Sequence, residues 1–203
     1  MKNSLKKLLA TTLCLGVVGF MANTVDAATK IPADAKIESS STIQKENLKL
    51  EKKWDKVFPQ SEKVNHTKIT FVNRYGITLA ADMYTPKNIS GKLPALAVSG
   101  PFGAVKEQSS GLYAQEMAER GFITIAFDPS FTGESGGYPR FVASPDINTE
   151  DFSAAVDFLS VQPNVDADKI GIIGICGWAG LALNAATINA RSIQTAAGML
   201  QAA

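Results

Sequence analysis

The feature that most constrains the fold is an alternation of short, uninterrupted apolar runs with stretches of helical periodicity. Strands buried on both faces of a sheet read as continuous apolar runs. Such runs occupy Leu93–Ser99, Phe122–Phe127 and Lys169–Ile175, and one more is expected at Ser192–Met199. Helices are predicted between them at Glu107–Arg120, Asn148–Val161 and Gly177–Asn189, with Asn148 as a cap and Asp151 three residues in. The alternation predicts an α/β fold with a mostly parallel sheet and right-handed crossovers.

An antiparallel hairpin is predicted ahead of this alternation. Strand-like runs at Lys68–Val72 and Thr78–Thr85 flank the turn-like stretch Asn73-Arg74-Tyr75-Gly76. Further upstream, apolar residues recur at helical spacing between Thr42 and Phe58, which predicts an amphipathic helix lying against the domain. We therefore expect a leader arm and helix over residues 29–66 and the α/β domain over residues 67–203.

Residues 1–28 have the pattern of a secretory signal peptide. Three lysines precede an apolar run from Leu8 to Phe20, and small residues close the segment before an expected cleavage after Ala27 or Ala28. An uncleaved anchor is the alternative. We expect a secreted or periplasmic protein that has no membrane contact after cleavage.

The remaining 175 residues carry 17 basic and 18 acidic side chains, a net charge of −1. That balance does not favour nucleic acid or an anionic membrane as a partner. Since Cys14 lies in the signal segment, Cys176 is the one cysteine expected in the mature chain. A thiol redox protein is disfavoured because Cys176 has no partner cysteine, and no cofactor or metal is predicted.

The most informative site candidate is Gly174-Ile175-Cys176-Gly177-Trp178, between a buried strand and a helix. A nucleophile at such a corner sits on a sharp turn with its reactive atom exposed, and small neighbours let strand and helix approach. The following helix N-terminus favours a thiolate and a developing oxyanion. The alternative is a buried structural thiol, because free cysteine packs as a small hydrophobe.

An acyl-transfer site also needs two backbone N–H groups directed at the oxygen that becomes negative. Gly177 would supply one, and the loop Ser99-Gly100-Pro101-Phe102-Gly103 would supply the other. Pro101 has no N–H, so Phe102 is the first choice and Gly103 the second. A plain Gly-Pro turn is the alternative for this loop.

The third strand end, Asp128–Gly137, is long and rich in glycine. We interpret it as structural, because buried turn groups need hydrogen-bond partners. Lys106 and Glu107 are expected on a solvated face.

The ordered set of Asn73–Gly76, Ser99–Gly103, Asp128–Gly137 and Gly174–Trp178 resembles the α/β-hydrolase superfamily. Within it, the chain is similar to bacterial dienelactone-hydrolase-like and acetyl-xylan-esterase-like proteins over roughly residues 67–203. The resemblance implies an esterase-like fold with Cys176 in the place usually held by serine, as in dienelactone hydrolases. Trp178 departs from the pattern, which prefers glycine there.

The resemblance also implies an acid and then a histidine after the nucleophile, yet no Asp, Glu or His follows Cys176. His66, the only histidine, precedes the hairpin and is not expected to be the base. The sequence thus suggests a domain without its C-terminal strands, through a fragment, a truncated gene or an incomplete gene model. Two functions stay open: an impaired cysteine hydrolase of small ester-like substrates, and a non-catalytic remnant or binding module.

Overall fold

Six strands and three helices follow one another in the computed structural model, which describes residues 45–88, 90–188 and 193–199. The predicted signal peptide and leader arm lie outside these residues. The elements are β1 (Val64–Val72), β2 (Thr78–Pro86), β3 (Leu93–Ser99), α1 (Ser109–Glu119), β4 (Ile123–Phe127), α2 (Pro145–Ser160), β5 (Val165–Ile175), α3 (Trp178–Ile188) and β6 (Ile193–Met199). None of the described helices is long and apolar enough to cross a bilayer.

The strands form a single sheet in the order β1-β2-β4-β3-β5-β6. β1 pairs with β2 and β2 with β4 in antiparallel fashion, whereas β4, β3, β5 and β6 run parallel to one another. The predicted α/β class, with a leading hairpin on a mostly parallel sheet, is confirmed. Parallel pairing brings the ends of β3, β4 and β5 to the same edge, where ligands bind in such folds.

Apolar side chains cover both faces of the sheet, which explains the uninterrupted runs in its central strands. On one face, Phe127 and Ile172 pack with Phe152 of α2 and Ala182 of α3. On the other face, Val98 packs with Ala114 of α1. Helices therefore lie on both sides of β3, β4 and β5 and hold the three strand ends in place.

The predicted amphipathic helix over Thr42–Phe58 is wrong for the described part of that segment, residues 45–58, which has no helix. Its backbone N–H groups donate to distant elements instead of to residues four positions earlier. The Glu46 N–H donates to Thr78 Oγ1 (2.7 Å), and the Val57 N–H donates to the Glu107 carbonyl (3.1 Å). Trp54 and Phe58 still pack against one another in an edge-to-face pair, so the apolar spacing reflected docking of an extended segment.

Two further predictions need correction. The domain boundary at residue 67 falls inside β1, which begins at Val64 because that residue is buried and paired with β2. Ser144, not Asn148, caps α2, since Pro145 can occupy the first helical turn and the Ser144 side chain accepts from the Ile147 N–H. Asn148 sits inside the helix, where its side-chain oxygen accepts from the Ser144 N–H (2.9 Å).

A buried hydrogen-bond network ties the hairpin turn to the loop after β4 and to α2. Asn73 Oδ1 accepts from the N–H groups of Tyr75 and Ile77, both at 3.0 Å. Asn73 Nδ2 donates to Asp151 Oδ1 (2.8 Å), and Asp151 also accepts from the Ser130 N–H (2.8 Å). Burial raises the pKa of the Asp151 carboxyl although these hydrogen bonds oppose the shift. The side chain of Asn73 therefore holds both the hairpin turn and the Asp151 carboxylate in place.

Replacing Asn73 with alanine should lower the free energy of unfolding by about 1–3 kcal/mol, because it leaves buried donors and an acceptor unpaired. The measurement is urea denaturation followed by fluorescence. Tyr75→Ala is the matched control: this residue is 54% exposed in the same turn, and it should change stability by under about 0.5 kcal/mol. Equal losses in both variants would contradict the role given to Asn73.

Candidate active site

Cys176 occupies a left-handed corner between β5 and α3. β5 ends at Ile175 and α3 begins at Trp178. The φ angle of Cys176 is 58°, a region that non-glycine residues seldom enter and that costs on the order of 1–3 kcal/mol. The Ala179 N–H donates to the Cys176 carbonyl (3.0 Å), which closes the turn into the helix. The side chain is half-buried, at the margin of the Val98 cluster, so the thiol is not enclosed.

Gly174 allows the helix to approach the strand at this corner. A Cβ atom on Gly174 would collide with the carbonyl oxygen of Trp178 and lie 2.8 Å from the Cβ of Ala182. The first of these atoms belongs to the backbone, which cannot move without shifting α3. Only a glycine at this position lets α3 start so close to β5.

Substituting Gly174 with alanine should therefore lower the free energy of unfolding by about 1–3 kcal/mol through overpacking. Gly180→Ala is the control within the same helix, since a Cβ there meets nothing within 4 Å. That control should be neutral or raise stability by up to about 1 kcal/mol through helix propensity. Thermal and urea unfolding of the two variants would decide, and a Gly174→Ala chain as stable as Gly180→Ala would refute the close-approach argument.

The loop after β3 lies directly against the corner. Gly100 has a φ of 101°, and a Cβ on it would be 2.6 Å from the Ile175 carbonyl oxygen and 2.9 Å from the Cβ of Trp178. The ring of Phe102 lies over Gly177, where an added Cβ would come within 2.5 Å of Phe102 Cδ2. The structure thus brings together Cys176, Gly177 and Phe102, the three residues singled out from the sequence.

The backbone amides of Phe102 and Gly177 donate to no acceptor within the described part of the chain. Both residues are exposed, so each N–H group is free to donate to a bound group. This arrangement is suited to an oxygen that gains negative charge during acyl transfer.

Trp178 departs from the glycine expected at its position without opening the turn. Its side chain is 3% exposed, and its ring lies 5.3 Å from that of Phe102 and 6.2 Å from that of Phe152. Among the described residues, its indole N–H has no acceptor, a loss of about 1–3 kcal/mol that the packing of a large aromatic ring offsets. Trp178 therefore forms part of the wall of the site.

A cavity of about 260 Å³ lies beside the corner, between the loop after β3 and the loop after β4. Phe102 and Trp178 form its inner wall, and Phe141 and Val142 contribute to its lining from the other loop. Among the residues that the structure describes, no charged side chain lines it. Sequence reasoning missed this cavity, because nothing in the sequence predicted that Phe141 and Val142 fold back towards the loop after β3.

Lys106 is buried, so the prediction of a solvated face at Lys106 and Glu107 is wrong. The Lys106 side chain is 0% exposed and that of Glu107 is 13% exposed. Lys106 Nζ donates to Asp128 Oδ2 (2.9 Å) and Glu134 Oε2 (2.7 Å), and its backbone N–H donates to Asp128 Oδ1 (2.8 Å). The loop Asp128–Gly137 is thus structural, as the sequence suggested, and it anchors the loop after β3 at Lys106.

Lys106 belongs to a larger charged cluster of Asp55, Lys56, Lys68, Lys106, Glu107, Asp128 and Glu134. Burial alone would lower the pKa of Lys106, but the Asp128, Glu107 and Glu134 carboxylates outweigh it and raise that pKa. While these carboxylates stay ionised, the stabilisation is fully present below pH 10.5, the ordinary value for lysine, and it is lost as the pH rises through the higher folded value. An aspartate directly after a buried strand was the sequence signal that could have revealed this cluster, since its charge requires a partner.

Removing the cation of Lys106 by substitution with methionine should lower the free energy of unfolding by about 3–5 kcal/mol at pH 8, because buried carboxylates lose their partner. The deficit should shrink as the pH falls and the Asp128 carboxyl, whose pKa burial raises, takes up a proton. Lys63→Met is the control, since the Lys63–Glu119 ion pair involves a side chain that is 75% exposed and should contribute under about 1 kcal/mol. A pH-independent deficit measured by urea denaturation would rule out the electrostatic account.

His66 is placed far from the thiol, as the sequence indicated. It lies in β1, and three strands separate β1 from β5; at about 4.8 Å per spacing, the two strands are roughly 19 Å apart. The pairing register places His66 level with Gly171, so the thiol lies farther away still. His66 Nε2 is 2.7 Å from Asp82 Oδ1, and the ring contacts Trp54 and Tyr84. The histidine thus belongs to the packing of the extended segment on the sheet.

Comparison with known proteins identifies the fold and the family. The profile of the family described as X-Pro dipeptidyl-peptidase (S15 family) matches residues 75–202. Protein PA2218 of Pseudomonas aeruginosa is 70% identical over 145 residues, 71% of this chain and 39% of its own length. Its crystal structure superposes with a TM-score of 0.74 at 66% identity, covering 75% of this chain and 48% of that one.

Two other similar proteins carry functional names. Thiohydrolase aneE of Aspergillus aculeatus is 31% identical over 131 residues, 64% of this chain and 40% of its own length. The structure of acetyl xylan esterase 1 from Thermoanaerobacterium has a TM-score of 0.57 at 19% identity, covering 68% of this chain and 48% of that one; this likeness concerns the fold alone. The chain spans about two fifths of the length of the curated relatives. The predicted α/β-hydrolase resemblance is confirmed.

Proposed function

Because this chain belongs to the X-Pro dipeptidyl-peptidase (S15) family and has the α/β-hydrolase fold, we propose that it acts on small ester-like substrates through a covalent acyl-cysteine at Cys176. Fold and family support an ester hydrolase in general. The name of the Aspergillus aculeatus relative, thiohydrolase, agrees with hydrolysis. The single observation that supports Cys176 as the nucleophile is its left-handed conformation at the strand-to-helix corner, next to the loop after β3.

In the proposed step, the Cys176 thiol gives its proton to water, and the thiolate sulfur bonds to the carbonyl carbon. The carbonyl π electrons move to its oxygen, which the N–H groups of Gly177 and Phe102 would stabilise as they have no other acceptor within the described chain. The N-terminus of α3 favours both anions. Collapse of this intermediate breaks the bond to the leaving group, which departs as an anion and takes a proton from solvent. Water then cleaves the thioester and restores the thiol.

Activated esters are the substrates to which residues 1–203 alone are best suited. A peptide leaves as an amine that a general acid must protonate, and no Asp, Glu or His lies between Cys176 and Ala203. The strand that carries His66 is roughly 19 Å from β5 by the strand spacing. A cysteine, unlike a serine, is a few per cent ionised at pH 7 without a base, so acylation by an activated ester needs no residue beyond the corner.

The same lack of a base should make turnover slow. General-base catalysis contributes typically about 10²- to 10⁴-fold, and water attack on the acyl-cysteine would go without it in this chain. The acyl-cysteine should therefore accumulate. We further propose that residues 1–28 direct export, so that the chain would meet its substrate outside the cytoplasm.

The test is p-nitrophenol release from p-nitrophenyl acetate by the purified chain. We expect a burst approaching one equivalent, followed by slow release, and no burst with Cys176→Ala. Cys176→Ser should also lack the burst, because a serine hydroxyl without a base is a weak nucleophile. Prior alkylation with iodoacetamide should remove the burst from the wild-type chain.

Equal release by all three forms would exclude the cysteine hydrolase and leave the alternative of a non-catalytic module whose site only binds. Thermal unfolding of each variant serves as the control for folding. Cys176→Ala relieves the left-handed strain only in part, since alanine also disfavours φ near 60°, so its stability should remain close to that of the wild type.

A further inference from the structure

The cavity beside the corner has the position expected of a subsite for the group attached to the reacting carbonyl. Phe102 and Trp178 belong both to the cavity wall and to the corner: the Phe102 ring covers Gly177, and Trp178 begins α3 two residues after Cys176. A carbonyl carbon bound at the thiol would therefore hold its acyl substituent next to this wall.

The lining selects an uncharged group. Within residues 45–88, 90–188 and 193–199, the lining consists of small, apolar and aromatic residues, with one hydroxyl, that of Thr132. A carboxylate or ammonium placed there would lose its hydration without gaining an ion pair, which is strongly unfavourable. The cavity instead favours a hydrocarbon surface.

The exposed apolar side chains at the cavity support the same conclusion. Phe102 is 52% exposed, Phe141 is 86% exposed and Val142 is 39% exposed. Clustered apolar side chains open to water are uncommon in monomeric proteins and mark binding surfaces. Phe141 is moreover held at a φ of 60°, anchored by its N–H to the Phe131 carbonyl (2.9 Å), so its exposed position is fixed by the backbone.

The volume limits the length of the group. The cavity of about 260 Å³ is smaller than the roughly 300–1,000 Å³ of drug-sized ligand sites, so it fits a short group. We propose that this cavity binds the hydrocarbon part of the substrate, a neutral acyl group of short to medium length. This inference rests on the proposed function for its relevance to catalysis, and it adds the chemical class of the acyl group.

The experiment measures the second-order rate constant of the Cys176-dependent burst with p-nitrophenyl acetate, butanoate, hexanoate, octanoate and decanoate. Each methylene that leaves water should raise this constant about three- to four-fold. The hexanoate should therefore exceed the acetate about 10²-fold, and the increase should stop near the octanoate. A constant that is the same for all five esters would overturn the inference.

Val142→Asp places a charge in the lining and should reduce the hexanoate constant at least ten-fold more than it reduces the acetate constant. Val161→Asp is the matched control, because Val161 is 76% exposed at the C-terminal end of α2 and outside the cavity; both constants should be unchanged. Loss of chain-length preference in the control as well would contradict the assignment to this cavity.

A second reaction separates this inference from the proposed function. Hexyl and methyl methanethiosulfonate both convert the thiol to a mixed disulfide with release of methanesulfinate, and neither needs an oxyanion hole. If the ester burst proves independent of Cys176, the proposed function fails, but the cavity should still make the hexyl reagent at least ten-fold faster at Cys176. Equal rates of thiol modification, read by intact mass, would reject the cavity even where ester acylation succeeds.

Discussion

The whole site depends on the close approach of α3 to β5 at Gly174. Because the position facing the Trp178 carbonyl has no side chain, the helix starts two residues after the thiol, and the chain must turn through a left-handed residue to enter it. Cys176 is that residue. The left-handed backbone at Cys176 holds the thiol at the sheet edge, where the half-buried side chain borders the Val98 cluster.

A second constraint sets the opposite wall. The loop after β3 touches the corner at Gly100 and is held at its far end by Lys106, whose ammonium is surrounded by carboxylates. Breaking a buried ion cluster of this kind is strongly unfavourable, so the segment between the two anchors has little freedom to move. Phe102 lies in that segment. Its backbone amide has no acceptor among the described residues, and its ring forms part of the cavity wall. The charged cluster thus holds the loop after β3 in position, although the cluster itself lies outside the site.

Much of this arrangement follows from sequence pattern, since apolar runs fix the strands and the parallel order brings Cys176, Gly177 and Phe102 to one edge. The errors have a common cause. The apolar spacing up to Trp54–Phe58 predicted a helix, but backbone N–H groups of residues 45–58 donate to Thr78 and Glu107 instead. Lys106 was expected to be solvated, but it is paired with carboxylates from distant loops. Such tertiary pairings leave no periodicity in the sequence. The position of Phe141 beside Phe102 was unpredictable for the same reason.

The claim that the corner makes Cys176 a nucleophile is tested most directly by finding where an acyl group goes. Peptide mapping by mass spectrometry, after brief exposure of the chain to p-nitrophenyl hexanoate and quenching in acid, locates the adduct. The account predicts a single hexanoyl group on the peptide that contains Cys176, removable by hydroxylamine as a thioester. Acyl groups spread over surface lysines, with the Cys176 peptide unmodified, would contradict it.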